Sequence, residues 1–283
     1  MGESLCKKRK KGESTESSSA TTRDWTELPD DVTALILVLS DVGAFDILTK
    51  YQMVCKTWRR VCCNYPILWR TINMQLRGFR NKNRKLNLVK MCRRAVDRSS
   101  GTLVDLTLCA GTDDLLKYIV NSCSGIRRLT LANCGKITYE GLSEVASKLP
   151  LLEDLHISYG TLSRKTKIME VIGKSCPLLK SLRWEKKFEI DPERLDDECA
   201  KAIAGTMHGL QHLQLCRFYL TNYAVEKILN YCPHLETLDL RKITIWKQDG
   251  RRDIFRGDLE RKMTQQIKNA RPPPTGLYCR YID

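Results

Sequence analysis

The phrase apolar-x-x-apolar-x-apolar recurs six times in this chain. It appears at Leu103-VDLTL, Ile126-RRLTL, Leu152-EDLHI, Leu179-KSLRW, Leu210-QHLQL and Leu235-ETLDL. Successive starts lie 23, 26, 27, 31 and 25 residues apart. A period of roughly 20–29 residues is that of solenoids in which each unit supplies one short strand and one helix. Helical stretches lie between the phrases. Leu142, Val145, Ala146 and Leu149 repeat at i, i+3, i+4 and i+7, as do Val225, Ile228, Leu229 and Cys232, while Ile168, Val171 and Ile172 begin the same pattern. A strand–helix unit has one apolar side and cannot bury it alone, so stacked units share a continuous core. The expected fold class is α/β: a curved solenoid of some seven units, parallel strands on the inner face and helices outside. Trp69-RTINM fits the same phrase and places a first strand there.

Strand side chains alternate between faces. If Leu106 and Leu108 face the core, then Asp105, Thr107 and Cys109 face out. The same parity exposes Arg128 and Thr130; Asp154, His156 and Ser158; Ser181, Arg183 and Glu185; His212 and Gln214; and Thr237, Asp239 and Arg241. Of these, Asp105, Arg128, Asp154, His156, Arg183, Glu185, His212, Asp239 and Arg241 are the candidates for holding a partner protein. From Ile243 the phrase is lost. A polar helix over 258–270 is expected to cap the last unit, or residues 243–283 form a tail, and Arg271-Pro-Pro-Pro forces an extended exit.

Ahead of the repeats, residues 25–74 read as three short helices. Leu28-Pro29-Asp30-Asp31 starts the first, with carboxylates where the helix dipole favours them. Val32, Leu35, Ile36 and Leu39 form one apolar face, and Ala34, Leu37 and Val38 add apolar residues on other faces. Phe45, Ile47, Leu48 and Tyr51 make a second helix. A third runs from about Val54 to Asn64, with Val54, Trp58, Val61 and Cys62 facing one way, and Pro66 closes the run. So small a unit rarely folds alone, and its surplus apolar surface needs another protein surface: the rest of this chain, or a partner's helices.

Leu28-Pro29 followed by Leu39, then Val54-Cys55-(x2)-Trp58-Arg59, then Pro66-(x2)-Trp69 resembles an F-box, with Ser40 where a proline is common and Tyr65 where an aspartate is frequent. The phrases Cys176-Pro-Leu-Leu and Cys232-Pro-His-Leu, with Cys134 after Leu131, resemble the cysteine-containing class of leucine-rich repeats. The wording at Trp25, Asp46-Ile47-Leu48 and Trp69-Arg70 looks most like the plant branch of such proteins. This resemblance spans about residues 25–242. It implies an F-box over 24–74 that binds the Skp adaptor of cullin–RING ubiquitin ligases, and repeats over 75–242 that hold a target for ubiquitination. It assigns Leu28, Pro29, Ile36, Leu39, Val54, Cys55, Trp58 and Trp69 to the adaptor, with cullin and RING subunits reached through it.

The other features narrow the field. The net charge is +15, with basic runs at Lys7–Lys11 and over 77–98. These make a nuclear or nucleic-acid-binding scaffold the rival reading, but no interleaved aromatics or zinc fingers accompany them. Residues 1–23 are basic and then Ser/Thr-rich, and are expected to be disordered. Lys7–Lys11 also resembles a nuclear-import patch, so nucleus or cytoplasm or both is the expected location. No run of eighteen apolar residues and no secretory leader is read, and membrane attachment is not expected. Thirteen cysteines without zinc-knuckle spacing read as buried thiols in a reducing compartment. His208 and His212 are separated by a helix break at Gly209, so no metal or other cofactor is expected. Asp196-Asp197-Glu198 reads as complementing a helix dipole. No phosphate loop or nucleophile elbow is present, and the chain reads as non-catalytic.

Overall fold

The structure, a computed structural model, describes residues 28–40, 42–75, 87–109, 111–160, 167–187 and 195–273. The readings made for the N-terminal tail, for Trp25, for the basic stretch 77–86 and for the chain beyond 273 lie outside these residues. Three short helices come first: α1 (Asp30–Leu39), α2 (Ala44–Thr49) and α3 (Lys56–Asn64). A 3-10 turn, Tyr51–Met53, links α2 to α3, and another, Pro66–Trp69, leads directly into β1 (Thr71–Asn73). Strand and helix then alternate: α4 (Leu88–Ser99), β2 (Asp105–Cys109), α5 (Asp113–Ser122), β3 (Arg128–Ala132), α6 (Tyr139–Ala146), β4 (Asp154–Gly160) and α7 (Lys167–Ser175). The series continues through β5 (Ser181–Lys186), α8 (Asp197–Thr206), β6 (His212–Leu220), α9 (Asn222–Tyr231), β7 (Thr237–Ile245), α10 (Gly257–Gln266) and β8 (Asn269–Arg271).

All eight strands form one parallel sheet in chain order. The register explains the repeated phrase. Ile72, Leu106, Leu129, Leu155, Leu182, Leu213 and Leu238 stand side by side, one from each of seven consecutive strands, and all are buried. Leu108, Leu131, Ile157, Trp184 and Leu215 form a second buried row. Burying one such side chain contributes about 1.5–3 kcal/mol, so the rows dominate what holds units together. One apolar cluster runs from Ala34 in α1 to Ile267 after α10.

The sheet extends further than the sequence pattern implies. The repeat does not end at Ile243: β7 continues to Ile245, the expected polar helix stops at Gln266, and β8 adds an eighth strand. Leu259, Met263 and Ile267 anchor this last unit in the core. Its phrase, Ile267-x-x-Ala270-x-Pro, has alanine where the others carry leucine, and so escapes the pattern.

Neighbouring units are also tied by polar contacts at the helix starts. Thr112, Thr138 and Thr221 cap α5, α6 and α9, each hydroxyl accepting from an amide three residues on. Asp113, the first residue of α5, accepts from the Thr138 amide at 2.8 Å and its hydroxyl at 2.7 Å. Asp197, the first of α8, does the same for Thr221, at 2.9 and 2.6 Å. Thus the carboxylate of one unit fixes the cap of the next. Gly141 makes room for this, because a Cβ there would lie 2.0 Å from Asp113 Oδ1. The acidic run before Cys199 therefore does more than complement a dipole. Asp196, itself buried, is ion-paired to Lys186 at 2.8 Å.

Of the eleven described cysteines, eight are buried and three, Cys55, Cys63 and Cys109, are half-buried. Cys123, Cys176 and Cys232 close α5, α7 and α9 from inside the core. Burial pushes the Cys176 and Cys232 thiols up to about 11 and Cys92 to about 12.

Two outcomes are expected. Asp197→Ala leaves the buried Thr221 donors without their acceptor and should cost about 1–3 kcal/mol in urea unfolding. Asp113→Ala, whose contacts are solvent-exposed, should cost less. In thiol labelling of the native protein at pH 8, the eight buried cysteines should react far more slowly than Cys55, Cys63 and Cys109; comparable rates would contradict the burial.

Candidate functional site

Two surfaces carry the candidate residues. The first is built by the three N-terminal helices. Pro29 ends the entering chain, and its carbonyl accepts from both the amide and the hydroxyl of Thr33, at 3.0 and 3.1 Å. Asp30 then clamps α1 to α3, accepting from Arg60 Nε and Nη2, each at 2.7 Å. These hydrogen bonds hold the Asp30 carboxyl below its usual range. The side of α1 that meets the core carries Thr33, Ala34 and Leu37. Small side chains there suit a close approach to α3 and the turn at Pro66–Trp69. The consequence is that the stripe Val32, Leu35, Leu39 faces solvent, with Leu35 56% and Leu39 75% exposed, and Val38 is exposed beside it. Ile36 is half-buried.

Further apolar side chains add to this exposed set. Met53 and Val54 lie between α2 and α3, and Ile67 on the second 3-10 turn, all at least half exposed. A groove of about 690 Å³ joins Val38 and Ile67 to Leu37, Val42, Phe45, Thr71 and Asn73, reaching the first strand. Cys55 caps α3, its sulfur accepting from the Trp58 amide at 3.4 Å, so the third helix starts at Lys56 rather than Val54. Val54 does not share the buried face of Val61 and Cys62: at 62% exposure it belongs to the solvent-facing set. Trp58 is half-buried and stacks on Tyr51, centroids 5.8 Å apart. Leu28 is half-buried and Pro29 exposed.

Trp69 is placed differently from the expectation that it touches an adaptor. It is fully buried, donates its indole N–H to the Cys62 carbonyl at 3.0 Å, and lies under the Arg98 guanidinium of α4 at 5.2 Å. Arg98 also reaches Gln52. Trp69 is the hinge pin between the three helices and the first repeat, and presents nothing to a partner.

The second surface is the inner face of the sheet. Register aligns Thr71, Asp105, Arg128, Asp154, Ser181, His212 and Thr237 in one row, and Asn73, Thr107, Thr130, His156, Arg183, Gln214, Asp239 and Arg271 in the next. A third row holds Cys109, Ala132, Ser158, Glu185, Cys216 and Lys242. Charges alternate and pair across strands: Arg128 with Asp105 at 2.8 Å, Arg183 with Asp154 at 3.8 Å, Arg217 with Glu185 at 2.6 Å. The first two pairs, whose arginines are more than half exposed, contribute little stability and leave polar groups available to a partner, whereas Arg217–Glu185 is part-buried. Burial and the Arg183 guanidinium push the half-buried His156 below the ordinary histidine range, so it stands neutral near pH 7.

Not every residue assigned to this face is exposed. Ser158, Ser181 and Asp239 are buried, and Asp239 is covered by Arg241, which donates from Nε and Nη2 at 3.1 and 2.8 Å. Burial acts to raise the Asp239 carboxyl, but the Arg241 hydrogen bonds outweigh it and the group lies below its usual range. Strict alternation also fails here. Between Gln214↔Asp239 and Cys216↔Lys242, β7 carries one residue more than β6, so Arg241 and Lys242 are both exposed in succession. Lys242, Arg217 and Arg271 were not among the candidates. The one available signal was two adjacent polar residues between Leu240 and Ile243. Among the described residues, no group of three metal-ligating side chains occurs, and no helix is long and apolar enough to cross a membrane.

Known proteins resemble this chain in both halves. The family model described as F-box-like matches residues 25–75. F-box/LRR-repeat protein 23 of Arabidopsis thaliana is 42% identical over 254 residues, 89% of this chain but 54% of that protein. The chain thus spans about half the length of this relative. F-box protein SKIP19 of the same plant is 40% identical, covering 90% of this chain and 79% of its own length. F-box/LRR-repeat protein 9, also from Arabidopsis, is 39% identical over 78% of this chain and 88% of its own length. The F-box-like match falls on the N-terminal helical unit, the relatives' similarity runs on through most of the leucine-rich solenoid, and the chain belongs to the F-box/leucine-rich-repeat family.

Proposed function

We propose that this protein is the substrate-recognition subunit of a Skp–cullin–F-box ubiquitin ligase. The observation that supports it best is the orientation of α1: its apolar stripe Val32, Leu35, Leu39 faces away from the core. Isolated apolar residues on a surface mean little, but seven exposed large ones from α1, the α2–α3 link and the Pro66 turn mark a docking surface. On this reading the Skp adaptor covers that surface, with Leu28, Pro29, Ile36, Leu39, Val54, Cys55 and Trp58 at or near the contact. Cullin and RING subunits follow through the adaptor. The inner face of the sheet holds the target protein, whose lysines are thereby kept close to a conjugating enzyme carried elsewhere in the assembly. The acceleration is one of proximity, and no residue of this chain takes part in acyl transfer.

The test is a pull-down of the adaptor and of bound targets by variants, with circular dichroism as the folding control. Leu35→Ser/Leu39→Ser alters exposed positions, so stability should change by only about 0.5 kcal/mol per site. Adaptor binding should fall by about tenfold or more, as for hot-spot residues. Leu37→Ala, on the buried side of the same helix, should instead cost about 2–5 kcal/mol of stability. Replacing Arg128, His156, Arg183 and His212 by Ala should spare the adaptor and release the target. A folded Leu35→Ser/Leu39→Ser variant with full adaptor affinity would overturn the proposal.

A further inference from the structure

The inner face is not uniform in charge. From β3 to β5 the exposed inner-face cations Arg128 and Arg183 each have a carboxylate on the preceding strand, Asp105 and Asp154. At the β7 end the balance breaks. Arg241 and Arg271 share a single carboxylate, Asp239, at 2.8 and 3.6 Å, and Lys242 follows Arg241 on the same strand. Lys242 has no carboxylate partner among the described residues. Asp239 is buried, whereas the side chains of Arg241 and Arg271 are more than half exposed. The carboxylate therefore holds the Arg241 guanidinium by two hydrogen bonds and has Arg271 nearby, which leaves donors of both arginines over for another anion. A recess of about 290 Å³, lined by Gln214, Leu215, Cys216, Asp239, Arg241 and Lys242, opens on the inner face beside them.

The backbone is shaped to make this cluster. The extra residue of β7 at Leu240–Arg241 is answered by an extra residue of β6 between Cys216 and Tyr219. At that second bulge Arg217 adopts φ +64°, a left-handed conformation uncommon for a non-glycine residue. Its side chain is held by Glu185 and the Lys186 carbonyl, at 2.6 and 3.4 Å. Paired bulges re-aim side chains, and strained backbone of this kind collects at binding sites.

We propose that this cation cluster is the subsite that grips an acidic peptide segment of the target, a run of Asp/Glu side chains or a phosphorylated residue. The inference rests on reading the inner face as the target surface and supplies the chemistry of what is bound. Arginine forks match carboxylate and phosphate oxygens, and the adjacent lysine adds a point charge. A short acidic segment fits better than a nucleic-acid backbone. A polyanion running along the face would next meet Glu185, Asp154 and Asp105, whereas a segment of a few residues ends before them.

The test uses the full chain, with its adaptor where that is needed for solubility, and fluorescence anisotropy of three labelled peptides: a Glu-rich one, a phosphoserine-containing one, and a Gln-substituted control. The acidic peptides should bind at least about tenfold more tightly than the control. Lys242→Ala should weaken them by about threefold or more, and Arg241→Ala/Lys242→Ala by about tenfold. Arg93→Ala/Arg94→Ala on α4 removes the same charge from the outer layer and should change binding by less than about twofold. If Arg241→Ala disturbs folding, Lys242→Ala alone decides, because Lys242 holds no carboxylate in place. The proposal is overturned by equal losses in the α4 variant, or by equal binding of the Gln peptide. It is equally overturned by a single-stranded oligonucleotide bound as tightly through the same residues, or by millimolar inorganic phosphate displacing every peptide as a small-anion site would allow. The same variants should keep the adaptor. Loss of peptide binding with the adaptor retained speaks only to this subsite, whereas the Leu35→Ser/Leu39→Ser pull-down speaks to the ligase role.

Discussion

The row of side chains from Ile72 through Leu106, Leu129, Leu155, Leu182 and Leu213 to Leu238 is the contact on which the rest of the molecule depends. One residue per strand, in parallel register, joins each unit to the two beside it. A shift of register by one residue would turn every leucine to the inner face and every Asp, Arg and His of that face into the core. The backbone adds to the specification. The carbonyl before each strand, from Arg70, Val104, Arg127, Glu153, Lys180 and Gln211, accepts from two successive amides of the next unit. Because stability passes only between neighbours, the two ends need protection: the first strand is covered by the three N-terminal helices, and β7 by the closing unit of α10 and β8.

That arrangement explains why Trp69 is buried. The helices close the open end of the solenoid through Trp69, Ile72 and Met74, and Arg98 of the first repeat reaches back to Gln52. The core needs only one narrow side of α1 for this. A ten-residue helix with apolar residues on two sides then has one side left over. An isolated unit would not keep Leu35 and Leu39 in water without some return, since exposing them gains nothing for folding.

Most of the fold could be read from the chain because leucine-rich strands announce themselves by a fixed interval and by alternation. What escaped had weaker side-chain signals. The eighth strand was missed because Ala270 buries too little to stand out. The exposed and buried sides of α1 were not separable by periodicity, since Val32/Leu35/Leu39 and Ala34/Leu37 both repeat at helical spacing; which side meets the core depends on side-chain size and on the Asp30–Arg60 pair thirty residues apart. Val54 lies off the buried face because the helix begins only after the Cys55 cap, two residues later than the apolar pattern implies. On the inner face, the alternation that located Asp105, Arg128 and His156 failed at Asp239 and Arg241. A bulge changes parity, and only the adjacent Arg241 and Lys242 hinted at it.

The two proposed sites lie at opposite ends of one sheet. Strands in a sheet are spaced about 4.8 Å apart, so β1 and β7, separated by six gaps, stand roughly 30 Å apart along it. The units between them are joined by buried leucines and by carboxylates that fix the next helix cap, as Asp113 does for Thr138 and Asp197 for Thr221. Neither contact has slack. A helix start held by two hydrogen bonds from the unit before it cannot slide without losing both. On the proposed reading, the solenoid is then a ruler as well as a binding surface: the number of repeats sets how far a gripped segment sits from the adaptor. Adding or removing one unit would move that segment by about 5 Å and turn it with the sheet's twist, which changes the lysines brought near the conjugating enzyme while leaving both contacts intact.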